Sequence, residues 1–231
     1  MPASQSRTPG GEPDIGRAPG DLATLQSFVN TLDIEQGTDA ISTPADLASW
    51  LHEAGLAPDR GVTADPRDLA LAIDLREALR GVLRSHVTHK AARGPAATAD
   101  ARLAVPSSAR PAGARPAGTS PSGTRPVATL AAVADAMRAG IHAEPDGRLV
   151  VVPAGTGTRA ALTRLLLIAA EAGTAGTWRR LKVCSADDCQ WAFYDRSPTR
   201  SGCWCSMQIC GSRAKSRAYR NRASSRPQSD M

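Results

Sequence analysis

Near the C-terminus, Cys184, Cys189, Cys205 and Cys210 form two matched C-x4-C pairs fifteen residues apart, and a basic, helix-like run follows the last of them directly. Thiolates paired at short spacing can converge tetrahedrally on one Zn²⁺. Four of them fill every coordination position, so no place remains for a reactive water. A site of that kind holds a fold together: one structural zinc ion per chain and no catalytic role. Cys203 lies inside the same segment, and spacing alone does not choose between Cys203 and Cys205 as a ligand. None of His52, His86, His89 or His142 is near the cluster, so a mixed Cys/His site needs distant help.

The disulfide alternative depends on the compartment. Met1–Gly20 has no charged segment followed by an apolar one of the kind an export signal carries. No stretch approaches the roughly 20 apolar residues of a membrane span. The expectation is a cytoplasmic protein without membrane attachment, nucleoid-associated when bound to DNA. There, clustered cysteines are metal ligands far more often than disulfides.

Composition divides the chain at the same place. Of the eight aromatic residues, six (Trp178, Trp191, Phe193, Tyr194, Trp204, Tyr219) fall in the last quarter, where a module too small for a deep core needs bulky side chains around its metal. From Arg179 to Met231 there are eleven Lys/Arg and four Asp, a balance of +7. The whole chain carries +6, which leaves −1 for everything before. A local basic excess of that size is the electrostatic footprint of a polyanion binder.

The pattern along the chain predicts an α+β protein: a mainly helical N-terminal domain with a small β-hairpin, then a small zinc module built on the four cysteines. Residues 1–20 read as a disordered leader and 21–178 as the helical domain. Within it, a Pro/Ala/Gly-rich insertion at about 91–126 has too few large apolar side chains to offset its chain entropy. The module spans 179–223 and a disordered tail 224–231. Thr43-Pro44-Ala45-Asp46 and Asp65-Pro66-Arg67-Asp68 both read as helix starts, with a cap residue, a proline preset for the first turn and an acid at the third position. The second helix should bury Leu69, Ala72, Ile73, Leu79, Val82 and Leu83, and a further helix runs from Thr129 to Gly140. Ile141–Ala143 and Arg148–Val152 flank Glu144-Pro145-Asp146-Gly147, a turn between β-prone runs. A last helix of the domain is expected from about Thr158 to Ala172. Phe28, Asn30 and Thr31 read as a core residue followed by two that satisfy backbone groups at an element end, in preference to a pocket.

The order Leu181-Lys182-Val183-Cys184, Asp187-Asp188-Cys189, Trp191, Phe193-Tyr194-Asp195, Arg200, Trp204-Cys205-Ser206-Met207 and Cys210-Gly211-Ser212-Arg213-Ala214-Lys215 closely resembles the CGNR zinc-finger family. Upstream, Phe28-Val29-Asn30-Thr31, Pro44-Ala45-Asp46-Leu47, Leu75-Arg76-Glu77-Ala78-Leu79 and Gly147-Arg148-Leu149-Val150 look like the ABATE domain that precedes that finger. The resemblance implies that the four cysteines bind zinc, that the finger contacts DNA and that the protein is a stress-induced transcriptional regulator. Ser212 stands where the family has asparagine, and serine can replace it as a helix N-cap.

From the residues themselves, Gly211 is expected to allow a sharp turn after Cys210, so that a helix starting near Ser212 leaves directly from the metal. Arg213, Arg217 and Arg220 recur at helical spacing as one stripe, Lys215 and Arg222 project from the other side, and Ala214 and Ala218 form a small face toward the module. These five basic residues are the candidate contacts to double-stranded DNA, chiefly through phosphates. No nucleophile–base pair, phosphate loop or open metal site is recognisable, so the chain does not read as an enzyme. Two other readings remain open: a thiol-based redox or metal sensor acting through Cys203, and an RNA or single-strand binder that stacks bases on Trp191, Phe193, Tyr194 and Trp204. For the N-terminal domain, a small-molecule effector, a protein partner and self-association are not distinguished, and the oligomeric state is unknown.

Overall fold

The computed structural model describes residues 16–57, 62–87 and 124–224. It is an α+β architecture. Helices α1 (Leu22–Val29), α2 (Pro44–Glu53), α3 (Pro66–Ser85), α4 (Thr124–Ala136) and α5 (Gly157–Thr174) precede α6 (Ser212–Ser224). Three two-stranded antiparallel sheets pair β1 (Leu32–Asp33) with β2 (Thr38–Asp39), β3 (Ala139–Ala143) with β4 (Leu149–Pro153), and β5 (Leu181–Val183) with β6 (Ala192–Tyr194). Of these, the sequence pattern anticipated β3–β4 alone. Strands of two or three residues carry no readable alternation, and only tertiary contacts hold them.

Both expected caps form complete capping boxes. The Thr43 hydroxyl accepts from the Asp46 N–H, and the Asp46 carboxylate accepts from the Thr43 N–H. The Asp65 carboxylate accepts from the Asp68 N–H at 2.8 Å, and Asp68 reciprocates. Satisfying the orphan donors of a first turn this way contributes about 1 kcal/mol per helix. α2 ends at Glu53 with Ala54 as its C-cap, and Gly55 follows at φ +69°.

The core lies among α1, α2, α3 and α5. Leu25, Phe28, Leu47, Leu51, Leu75, Leu79, Leu83, Leu162 and Leu165 have no exposure, and Val133 and Met137 of the α4 region join them. Leu181, Val183, Ala192 and Tyr194 belong to the same cluster, so the β5–β6 hairpin is built into the body. The buried stripe of α3 differs from expectation. Leu75, Arg76 and Arg80 are buried on it, while Leu69, Ile73 and Val82 are half-covered. Two arginines on a buried face are invisible to a hydrophobic pattern, because their partners come from elsewhere in the chain.

Other boundaries also move. The helix expected to run from Thr129 to Gly140 starts at Thr124 and ends at Ala136, because Gly140 pairs with Val152 inside the β3–β4 ladder. Thr124, Arg125 and Pro126, assigned to the insertion, are therefore helical, and the rest of that insertion from residue 91 lies outside the described residues. The end of the expected leader is packed: Ala18 is buried, its N–H donates to Gln26 Oε1 at 2.7 Å, and the Gly16 carbonyl accepts from the Tyr194 N–H at 2.6 Å.

Candidate metal centre and nucleic-acid surface

β5 delivers Cys184 to a tight turn that returns as β6 after Cys189. The Cys184 N–H donates to Trp191 O at 2.9 Å, and both Cys189 and Gln190 donate their N–H to Ala186 O at 3.0 Å. Gln190 takes the left-handed conformation at φ 50° to close this turn. The second pair arrives on a segment tied to the first by the Ser185 N–H, which donates to Cys203 O at 2.9 Å. Ser206 caps a short π turn, Met207–Gly211, that carries Cys210 and runs straight into α6.

The four thiols converge. Every Sγ of Cys184, Cys189, Cys205 and Cys210 lies within 4.8 Å of the others. Cys189 and Cys205 are 3.6 Å apart, and Cys205 and Cys210 are 3.7 Å apart. Sulfurs about 2.3 Å from one Zn²⁺ at tetrahedral angles stand roughly 3.8 Å from one another, so the donor set fits that ion in kind and in span. Electrostatics agrees. Hydrogen bonds from Cys189 and Cys205 pull the Cys184 thiol far down, while sharing protons with Cys184 and Cys189 pushes Cys205 far up. Burial, followed by the charges on Cys189 and Cys184, pushes Cys210 up to about 12. Four thiolates cannot coexist at this distance without positive charge between them, which a divalent cation supplies. Cys203 lies outside the cluster, and burial raises its thiol above the ordinary value.

A second set of contacts, not anticipated from sequence, shapes the segment between the cysteine pairs. Lys182 and Asp195 form a buried ion pair at 2.7 Å, with side chains 1% and 4% exposed. The Lys182 ammonium also donates to Arg200 O and Gly202 O, and the Asp195 carboxylate accepts from the Ser197 and Gly202 N–H groups. Burial opposes ionisation of Asp195, but Lys182 and these donors together hold its carboxyl at about 2. A Cβ on Gly202 would stand 2.9 Å from the Asp195 carboxyl carbon, so only glycine lets the backbone approach. Lys182 and Asp195 lie in motifs that sequence reading singled out, yet nothing local marks them as partners.

The body grips the module through polar side chains. Asn30 clamps Ala192 through both of its backbone polar groups: its Nδ2 donates to Ala192 O at 3.0 Å and its Oδ1 accepts from the Ala192 N–H at 2.7 Å. Arg80 donates to Val29 O at 2.7 Å and Gln190 O at 3.1 Å, joining α1 to the cysteine turn. His86 Nδ1 lies 2.9 Å from Leu181 O. Arg76 makes a bidentate pair with Asp39, at 2.7 and 2.9 Å, that pins β1–β2 to α3, and it also donates to Thr31 Oγ1. Phe28 is core and Asn30 and Thr31 serve backbone and side-chain partners, as the pattern suggested, but Asn30 serves a strand 162 residues away.

α6 differs from expectation in four ways. Ser212 is not its N-cap: the chain is already helical there, and the Ser212 hydroxyl donates to Met207 O at 3.2 Å. Gly211 makes no left-handed turn, and a Cβ there would press only on the end of the exposed Met207 side chain, at 3.0 Å from Sδ and 3.2 Å from Cε. Ala218 is exposed and Ala214 half-buried, so the two alanines do not form a packed face. The arginine stripe is turned toward acids: Arg213 pairs with Glu35 at 2.6 Å and Arg217 with Asp188 at 3.2 Å, while Arg84 of α3 pairs with Asp187. Lys215 and Arg220 are exposed, and of Arg222 only the helical backbone is described. Phe193 is buried against the thiols with Trp191 and Trp204 packed beside it, and Tyr194 belongs to the main core, so these rings are packing groups here.

Family comparison matches the architecture. A model of the ABATE family, described as "putative stress-induced transcription regulator", matches residues 22–183, and one of the CGNR zinc finger matches 180–223. The chain belongs to the ABATE family and carries a C-terminal CGNR zinc finger. The two matches overlap within 180–183, where β5 serves the core of the body and the cysteine turn together. No curated protein matches the chain. Among the described residues, no helix is long and apolar enough to cross a membrane.

Proposed function

We propose that the protein is a transcription regulator that binds double-stranded DNA through α6, with one structural Zn²⁺ held by Cys184, Cys189, Cys205 and Cys210. The observation that carries this reading is the placement of α6: a helix bearing Arg213, Lys215, Arg217 and Arg220 leaves directly from the turn that holds Cys210. The ion would cross-link the two cysteine pairs and set the direction of that helix. A four-sulfur site has no open position, which supports binding over catalysis. The family description, a stress-induced transcription regulator, supports the same assignment and a cytoplasmic location on DNA. An effector of the helical domain would fit the groove of about 420 Å³ lined by Leu56, Val152, Leu167 and Ile168, with Asp21, Arg164 and Glu171 among its polar groups.

Glu35 and Asp188 occupy two of the arginines that phosphates would use, so DNA must compete with them. Exposed pairs of this kind are worth about 0–1 kcal/mol, which makes the competition mild. Fluorescence anisotropy with a labelled duplex is expected to show affinity falling steeply with salt. Arg213→Ala/Arg217→Ala/Arg220→Ala should lower the salt slope by about three phosphate contacts and bring binding close to background. Glu35→Gln/Asp188→Asn should tighten binding severalfold. If the triple variant binds as the parent does, α6 is not the contact surface.

A further inference from the structure

The β3–β4 hairpin is strongly exposed. β3 pairs with β4 from Ala139↔Pro153 to Ala143↔Leu149, and among the described residues no third strand joins it. Alternation places Ala139, Ile141 and Ala143 on one face with Leu149, Val151 and Pro153. On that face Ile141 is 76% exposed, Leu149 69% and Val151 55%. A lone two-stranded ribbon is marginal in water, and an edge strand without lysine, proline or a bulge is a template for another strand. Ala139-Gly140-Ile141-His142-Ala143 contains neither lysine nor proline, and its register is continuous.

The ladder's two ends show which backbone groups face outward. The Ala154 N–H donates to Arg138 O at 2.8 Å, and the Glu144 N–H donates to Arg148 O at 2.8 Å. Both bonds fall on even-numbered residues of the β3 side, and hydrogen-bonded pairs alternate with non-bonded ones along an antiparallel ladder. Gly140 and His142 therefore bond to β4, and Ala139, Ile141 and Ala143 turn their N–H and C=O groups to the open edge.

We propose that β3 pairs antiparallel with β3 of a second copy of this chain, across a two-fold axis at Ile141, to make one four-stranded sheet from two hairpins. In this register the outward-facing set pairs with itself: Ile141 meets the partner's Ile141, and Ala139 meets the partner's Ala143. Arg138 stands opposite the partner's Glu144, twice by symmetry, and neither residue forms an ion pair among the described residues. Gly140 faces the partner's His142, so no like charges meet. An isologous interface requires such self-complementarity, and it selects a second copy over an unrelated strand.

Sedimentation of the full zinc-loaded chain from about 1 to about 300 µM is the test, a range that reports weak reversible association. A monomer–dimer equilibrium is expected. Ile141→Pro removes the N–H at the symmetric centre, and proline is tolerated on an edge strand where that N–H faces out. It should weaken the dimer at least about tenfold with helicity and Tm unchanged. Arg138→Glu should also weaken it, and adding Glu144→Arg should restore it. A monomer at every concentration, a larger assembly, or a dimer indifferent to Arg138→Glu overturns the proposal even if Ile141→Pro fails to fold. DNA binding enters none of these readouts.

Discussion

In the helical body, the side chains with no exposure are mostly leucines from four helices, and the capping boxes sit outside them on exposed turns. Beyond Cys184 the same central place is taken by four thiols, with Phe193 and two half-buried tryptophans around them and a buried Lys182–Asp195 pair alongside. One region has enough apolar surface to bury and needs no ion; the other is too short for that and relies on sulfur and charge. The join between them is polar, through Asn30, Arg80 and His86, on a hairpin whose side chains belong to the leucine core. The two regions are thus unlike in chemistry but not separate bodies.

The largest effect should come from removing the zinc ion proposed for the four sulfurs. Structural zinc in small modules is worth apparent energies of about 10–16 kcal/mol, so a strong chelator should abolish the ordered environment of Trp191 and Trp204, read by fluorescence and near-UV circular dichroism. Most far-UV helicity should survive, because α1, α3 and α5 keep their leucines. Complete loss of helicity would show that the body cannot stand without the module. Cys203→Ser should leave the metal content unchanged.

Next in size is the buried ion pair. Asp195→Asn leaves Lys182 charged and uncompensated inside the module, at a cost of about 3–5 kcal/mol in thermal or denaturant unfolding. The parent carboxyl is held at about 2, below the roughly 3.9 of an unfolded aspartate. Its stabilisation is therefore complete above about pH 4 and is lost as pH falls toward 2. Acid also protonates the thiolates, so the decisive quantity is the difference between parent and variant. That difference should shrink between pH 4 and 2; a constant difference would show that the pair is not formed.

The smallest effect belongs to the join. Asn30→Ala strands the Ala192 N–H, while Ala192 O keeps the Gln26 Nε2 donor at 3.1 Å, and should cost about 1–3 kcal/mol. Because Ala192 lies in a strand shared by body and module, the loss should appear in one unfolding transition seen by both helix and tryptophan probes. Two transitions moving apart would mean that the regions unfold independently.

Much of the body could be read in advance. Thr43 and Asp65 announced their helices because capping is local chemistry, and the turn at Glu144–Gly147 announced β3–β4 for the same reason. β1–β2 and β5–β6 could not be foreseen, since strands this short exist only where Arg76 holds Asp39 and Asn30 holds Ala192. The stripe of Arg213 and Arg217 was legible as a stripe, but Glu35, 178 residues from Arg213, is brought to it only by the fold.

By itself the sequence determined the elements whose signals lie within a few residues: the capped helices, one hairpin, and two cysteine pairs at ligand spacing. Tertiary structure alone decided that the four sulfurs close to within 4.8 Å, that Lys182 finds Asp195, and that two basic residues of α6 face acids. The reason is physical. Caps and turns are satisfied by neighbours along the chain, whereas buried charges and thiols need partners that only folding brings within reach.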